Sequence, residues 1–256
     1  MKKNLYYKAV FARKNILKEF CLMGFLILIS GPRLLLEVFI RKNFGERYFS
    51  MFQAVCLSIF LFFIPIAIAK YHEAMGDMSY NAGTIMMRDL TWYLFLAAFL
   101  YFSYQRQQEI KREPSVFDFA RFSLSTGEIN DRFYQFKIRG KVPDPRTIAT
   151  VLEPAFFLAI GIVLAILQQK VGVLLIFSSI FYSLGYRGAY YQGDMYIMDK
   201  IDEMICNEEL SNSFVDDQQP KDTRGFYAYG RRPSNAAFRK QVVDSFFEEE
   251  PTSDVI

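Results

Sequence analysis

Five charged residues stand inside or at the rim of otherwise apolar stretches of this chain: Arg33, Glu37, Arg88, Asp89 and Glu153. An ionised group is costly in hydrocarbon, so such residues mark ion or proton paths, or pair with one another as anchors. Arg33 and Glu37 have the i,i+4 spacing at which opposite charges meet on one helix face. Arg88 and Asp89 are adjacent and read as an anchor on the outer side of a membrane. Glu153 precedes Pro154 at the head of an apolar run, where the helix dipole favours a carboxylate at the N-terminus. An ion path wants carboxylates spread through the interiors of the spans, and those interiors are almost free of them. A small channel or transporter using Glu37, Asp89 or Glu153 is therefore the alternative reading.

The other chemically capable residues form no constellation. Cys21, Cys56 and Cys206 are far apart, which suits neither a disulfide framework nor a zinc site. The single histidine, His72, has only Glu73 and Asp77 nearby, a poor ligand set. No glycine-rich phosphate loop, Gly-x-Ser-x-Gly elbow or His-Glu-x-x-His pair occurs. The expectation is a chain with no catalytic residues, no cofactor and no metal, and not an enzyme.

What must position these charges is legible in the blocks of the sequence. The 256 residues are 52% hydrophobic and 22% charged, and the two kinds are segregated rather than mixed at period 2 or 3.6. With 27 Phe and 16 Tyr against 14 Gly, 9 Pro and 3 Cys, a disordered chain, a collagen and a disulfide scaffold are excluded. The pattern implies an all-α, polytopic membrane protein of about four transmembrane helices. A span needs about 20 apolar residues. Residues 48–69 carry no charge, and residues 154–191 form a second block split by Gln168, Gln169 and Lys170 into a tight antiparallel hairpin. Residues 90–104 make another span, with Trp92, Tyr93, Tyr101 and Tyr104 at the ends where amphipathic rings favour headgroups. Residues 20–40 are punctuated by Gly31-Pro32 and contain Glu37. They read as a re-entrant or in-plane helix pair turned at Gly31-Pro32, with its charges reaching the headgroups, the alternative being a further span with Arg33 and Glu37 in hydrocarbon.

Basic residues set the orientation, because cytoplasmic loops carry the excess. Residues 1–19 hold six Lys and Arg, residues 41–47 three and residues 105–146 nine, against Lys70 alone in residues 70–87. Four spans put every basic stretch and both termini on the cytoplasmic side. The resulting organisation is a basic N-terminal amphipathic helix and re-entrant segment at 1–46 and a membrane domain at 47–191 with a cytoplasmic loop at about 105–149. An acidic amphipathic helix at 192–210 and a flexible tail at 211–256 with a docking helix at 234–250 complete it.

In the water-facing parts, Leu5, Ala9, Ala12, Ile16 and Phe20 form a stripe beside Lys8, Lys14 and Lys18, suited to an anionic leaflet. Ser115 and Asp118 open a short helix through Leu124, and Tyr134, Phe136 and Ile138 alternate like a strand. The loop's six acidic residues nearly balance its nine basic ones, so no nucleic-acid partner is expected. Ile197, Ile201, Met204 and Ile205 share one face of an acidic helix that an anionic leaflet would repel, so they should dock on protein. Residues 211–233 read as a polar linker. Phe238, Val242 and Phe246 repeat at i,i+4, a narrow stripe suited to a partner's groove. Together these features predict a non-catalytic subunit that scaffolds an inner- or plasma-membrane complex of a bacterium or organelle. Secretion, conjugation, motor and respiratory assemblies are the types in view. Its partners would be the lipid bilayer, other membrane subunits and a cytoplasmic protein.

Overall fold

The structure is a computed structural model and describes residues 3–11, 16–76, 82–110, 122–137 and 140–248. Its elements run β1 (Lys3–Asn4), α1 (Leu5–Val10), α2 (Ile16–Ile40), α3 (Met51–Ala74), α4 (Ala82–Arg88), α5 (Leu90–Ile110), α6 (Pro145–Thr147), α7 (Glu153–Ile166), α8 (Lys170–Phe214), α9 (Ala236–Asp244) and β2 (Phe247–Glu248). A π-helical stretch, Ile148–Leu152, joins α6 to α7 as one rod, Pro145–Ile166. Among the described residues, four helices are long and apolar enough to cross a membrane: α2, α3, the α6–α7 rod and α8. The fold is thus helical and multi-pass, with strand pairing confined, among the described residues, to β1 against β2 and one isolated bridge. The chain divides into a unit of Leu22–Ala189 and a second unit built from both chain ends, Met1–Cys21 with Tyr190–Ile256.

In the first unit, α3 and α5 pack against each other and against the C-terminal half of α2. Leu34, Leu35 and Val38 meet Ala54, Leu61, Trp92, Leu96 and Phe99 in one core. Residues 90–104 fall in α5, which is not among these four helices. Prolines inside these helices leave carbonyls without their helical donor, and other helices supply replacements. Pro65 cannot donate to Leu61, and the Trp92 indole N–H donates to that carbonyl at 3.0 Å. Pro154 cannot donate to Thr150, and the Ser183 hydroxyl does so at 2.6 Å. The expected hairpin is present. Gln168, with φ 58°, turns the chain between α7 and α8, and the helices meet so closely that a Cβ on Gly172 would lie 2.4 Å from the Ala165 nitrogen.

Residues 20–40 differ from expectation. There is no turn at Gly31-Pro32, because α2 runs unbroken through both residues. A proline costs one hydrogen bond, and packing holds the helix together around it: Gly31 faces Leu57, and Leu34, Leu35, Leu36 and Val38 are buried. The contacts of α2 with α8 are compressed. Leu22 and Leu26 lie at Gly188, Ile29 and Arg33 at Gly185, and Glu37 and Arg41 at Tyr186. From Leu22 to Arg41 is roughly 28 Å of helix rise, whereas residues 182–188 cover roughly 9 Å. The contacts of this part of α2 thus gather on one short stretch of α8. In the loop after α5, Asp131–Gln135 is a 3-10 turn started by the Asn130 side chain, which accepts from the Arg132 N–H, so Tyr134 is not in a strand. Ile138 and residues 111–121, with most of the helix expected from Ser115, lie outside the described residues.

The second unit has its own core of Tyr6, Tyr7, Cys206, Leu210, Phe214, Ala228 and Val243. Asn4 caps α1 through the Tyr7 N–H and holds Asn207 through its amide at 2.6 Å. This turns Tyr6 and Tyr7 inward and leaves Leu5 and Ala9, part of the expected stripe, exposed. Residues 192–210 continue α8 without a break. Residues 211–233 are a folded connection, not a free linker: Thr223 is buried, and the Ala228 N–H donates to the Ser213 hydroxyl at 3.0 Å.

Candidate functional site

Four charged residues of the first unit converge. Arg33 and Glu37 lie one turn apart at the C-terminal end of α2, and Arg41, just past that end, keeps the spacing with its N–H on the Glu37 carbonyl, so the three share one face. Tyr48 comes from the connection to α3, Glu153 from the first turn of α7, and Tyr182 and Tyr186 from successive turns of α8. Glu37, Arg41, Glu153 and Tyr182 are each at most 2% exposed. Arg33 Nε donates to Glu37 Oε1 at 2.8 Å, and a second Arg33 nitrogen donates to the Tyr48 hydroxyl. Tyr48 and Tyr186 donate to the two oxygens of Glu37 at 2.7 and 2.6 Å. Arg41 grips Glu153 with both ends of its fork, Nε to Oε1 at 3.0 Å and Nη2 to Oε2 at 2.5 Å, and Tyr182 adds a donor to Oε2 at 2.6 Å. The Tyr186 ring has both guanidinium groups over it, at 4.2 Å for Arg33 and 4.5 Å for Arg41.

Two guanidinium groups face two carboxylates, and the tyrosines complete the acceptor sites. The desolvation cost of burying each charge is offset by a charge-assisted hydrogen bond on nearly every lone pair. Each carboxylate is clamped by an arginine, so this geometry locks α2, α7 and α8 together.

Of the residues singled out from sequence, Arg33, Glu37 and Glu153 belong to this cluster. The i,i+4 pairing of Arg33 with Glu37 is present, and Glu37 is buried. Glu153 is not an end cap either. The helical rod begins eight residues earlier, where Asp144 accepts from the Thr147 N–H at 3.3 Å, so Glu153 lies two turns inside. Arg88 and Asp89 lie at the other end of α8, roughly 18 to 24 Å away along that helix. There Asp89 Oδ2 accepts from Lys170 Nζ at 2.7 Å, with Arg88 at 3.6 Å. Arg41, Tyr48, Tyr182 and Tyr186 escape sequence reasoning; the signals are Arg41 continuing the α2 spacing and the i,i+4 tyrosines in the last span.

Among the expected docking residues, Ile197, Ile201 and Met204 are exposed and Ile205 is half-buried. Phe238 is exposed, whereas Val242 and Phe246 are half-buried against the chain's own core, with Phe246 stacked on Tyr6 at 5.2 Å. Among the described residues, no group of three or more His, Cys, Asp or Glu could hold a metal ion. Comparisons with protein families, with curated proteins and with solved structures find no match to this chain.

Proposed function

We propose that this protein is a non-catalytic, multi-pass subunit that anchors a larger complex of an inner or plasma membrane, of the secretion, conjugation, motor or respiratory type. The observation that carries the reading is the face of α8 in the second unit. Ile197, Ile201 and Met204 are 47–58% exposed, while Cys206, Leu210 and Phe214 of the same helix are committed to the unit's own core. Asp199, Asp202 and Glu203 occupy the rest of the same turns. An anionic leaflet repels such a helix, and a basic protein partner complements it. The neutral cluster, in which an arginine and tyrosine hydroxyls hold each carboxylate, supports an anchor over a carrier, since a carrier's carboxylates must exchange their partners.

The same reading holds that α3, α5, the α6–α7 rod and α8 cross the bilayer while α2 lies at its cytoplasmic face. The gathering of α2's contacts on one short stretch of α8 supports this. Both chain ends share one folded unit, which requires an even number of crossings between them, and the Lys and Arg counts favour the cytoplasmic side. Native sizing after gentle solubilisation tests the assembly: we expect a particle several times the chain's 29.9 kDa beyond its detergent belt. A lone chain in detergent would refute the anchor.

A further inference from the structure

A cleft of about 230 Å³ opens in the first unit between α2, the start of α3 and α8. Leu26, Ile29 and Leu34 make its apolar side, and Arg33, Ser30 and Gln53 gather as its polar side. No carboxylate lines it, so the one charge on its surface is positive. Arg33 has committed Nε to Glu37 and Nη2 to Tyr48. Its Nη1, with two N–H groups, has no acceptor among the described residues and lies beside Gly185. A Cβ on Gly185 would stand 2.9 Å from Ile29 Cγ2 and 3.3 Å from Arg33 Cδ, so the glycine leaves room for the arginine stem. The Gln53 amide donates to the Ser30 hydroxyl at 3.3 Å, which holds both at the rim.

An occupant must therefore offer an anionic acceptor at one end and an apolar body at the other. The planar guanidinium donors match phosphate geometry. A cleft of this size takes a headgroup phosphate and the first carbons of one chain, and is too small for a whole drug-sized molecule.

We propose that this cleft binds the phosphate of a membrane phospholipid. Arg33 Nη1 donates to a non-bridging oxygen, Ser30 and Gln53 stand beside it, and an acyl chain lies along Leu26, Ile29 and Leu34. The proposal rests on α2 lying at the cytoplasmic face, which sets the cleft at headgroup depth.

The test uses the full chain, purified in non-ionic detergent, stripped of lipid and examined by native mass spectrometry. The probes are dioleoylphosphatidylglycerol, dioleoylglycerol with the same chains but no phosphate, and inorganic phosphate. We expect retention of phosphatidylglycerol at least about tenfold above dioleoylglycerol, and about a tenfold loss in Arg33→Lys, which keeps the charge facing Glu37 but gives up the Nη1 donors. Ser30→Trp, at the exposed rim, fills the cleft without touching the charge cluster; it should lose the lipid with an unchanged thermal midpoint, and it stands as the test if the Arg33 variant does not fold. Equal retention of the two lipids, or full retention by Ser30→Trp, overturns the proposal. Inorganic phosphate that binds alone and displaces the lipid overturns the lipid as the source. A spin label on α2 at headgroup depth combined with failed retention sinks the cleft alone, while labels spread through the bilayer sink the placement of α2.

Discussion

Arg41 and Glu153 show how one residue pair binds distant parts of the chain, 112 positions apart, through two parallel hydrogen bonds in a buried setting. Removing one partner strands the other charge, whereas removing both leaves an apolar contact. We expect Arg41→Met or Glu153→Gln alone to lower stability by about 3–5 kcal/mol, and Arg41→Met with Glu153→Leu to recover most of it. Thermal unfolding in detergent measures this, and losses that simply add would contradict the lock. Tyr7 gives a pH handle on the other unit. Burial, reinforced by Asp199, Asp202 and Glu203, pushes its hydroxyl up to about 12 from an ordinary 10.0. The unfolded chain then gives up this proton first, so the contribution is complete below about pH 10 and is lost as pH rises towards about 12. The stability difference between wild type and Tyr7→Phe should shrink across that window, and a difference constant with pH would contradict it.

At the scale of elements, the membrane helices depend on donors from their neighbours. Trp92 serves the carbonyl that Pro65 leaves open, and Ser183 the one that Pro154 leaves open. Trp92→Phe and Ser183→Ala should each cost about 1–3 kcal/mol, the penalty of an orphaned buried acceptor. In a Pro65→Ala background the helix supplies its own donor to Leu61, so there the cost of Trp92→Phe should fall. An unchanged cost would show that the indole acts through packing alone. The attitude of α2 is also an element property. Spin labels placed singly at Leu17, Met23 and Leu28, all exposed, should report similar immersion depths if α2 lies in the interface. A crossing helix would change depth by about 1.5 Å per residue, roughly 16 Å over these positions.

For the whole molecule, the two chain ends are one folding unit, with β1 paired to β2 and Val243 and Phe246 packed with Tyr6, Tyr7 and Phe214. Truncation after Pro233 removes Val242, Val243 and Phe246, whose burial supplies roughly 1.5–3 kcal/mol each when complete. We expect insertion of the Leu22–Ala189 unit to survive and the end unit to open. Cys206, only 1% exposed in the intact chain, then becomes reactive to a water-soluble alkylating agent. A truncated protein whose Cys206 stays protected would show that the tail contributes nothing to that core.

Sequence by itself determined the membrane class, the hairpin across Gln168 and Gln169, and the i,i+4 pairing of Arg33 with Glu37. Each depends on neighbours in the chain, on apolar run length or on helical periodicity, and needs no knowledge of distant parts. Sequence reasoning could not see that Glu153 belongs with Arg41, that Tyr182 and Tyr186 complete the acceptors of both carboxylates, or that α2 passes unbroken through Gly31-Pro32. Nor could it see that the tail stripe turns into the chain's own core. These outcomes rest on contacts between residues far apart in the chain. A buried charge takes the partner that packing brings to it, and a proline is tolerated where neighbouring side chains hold the helix in place.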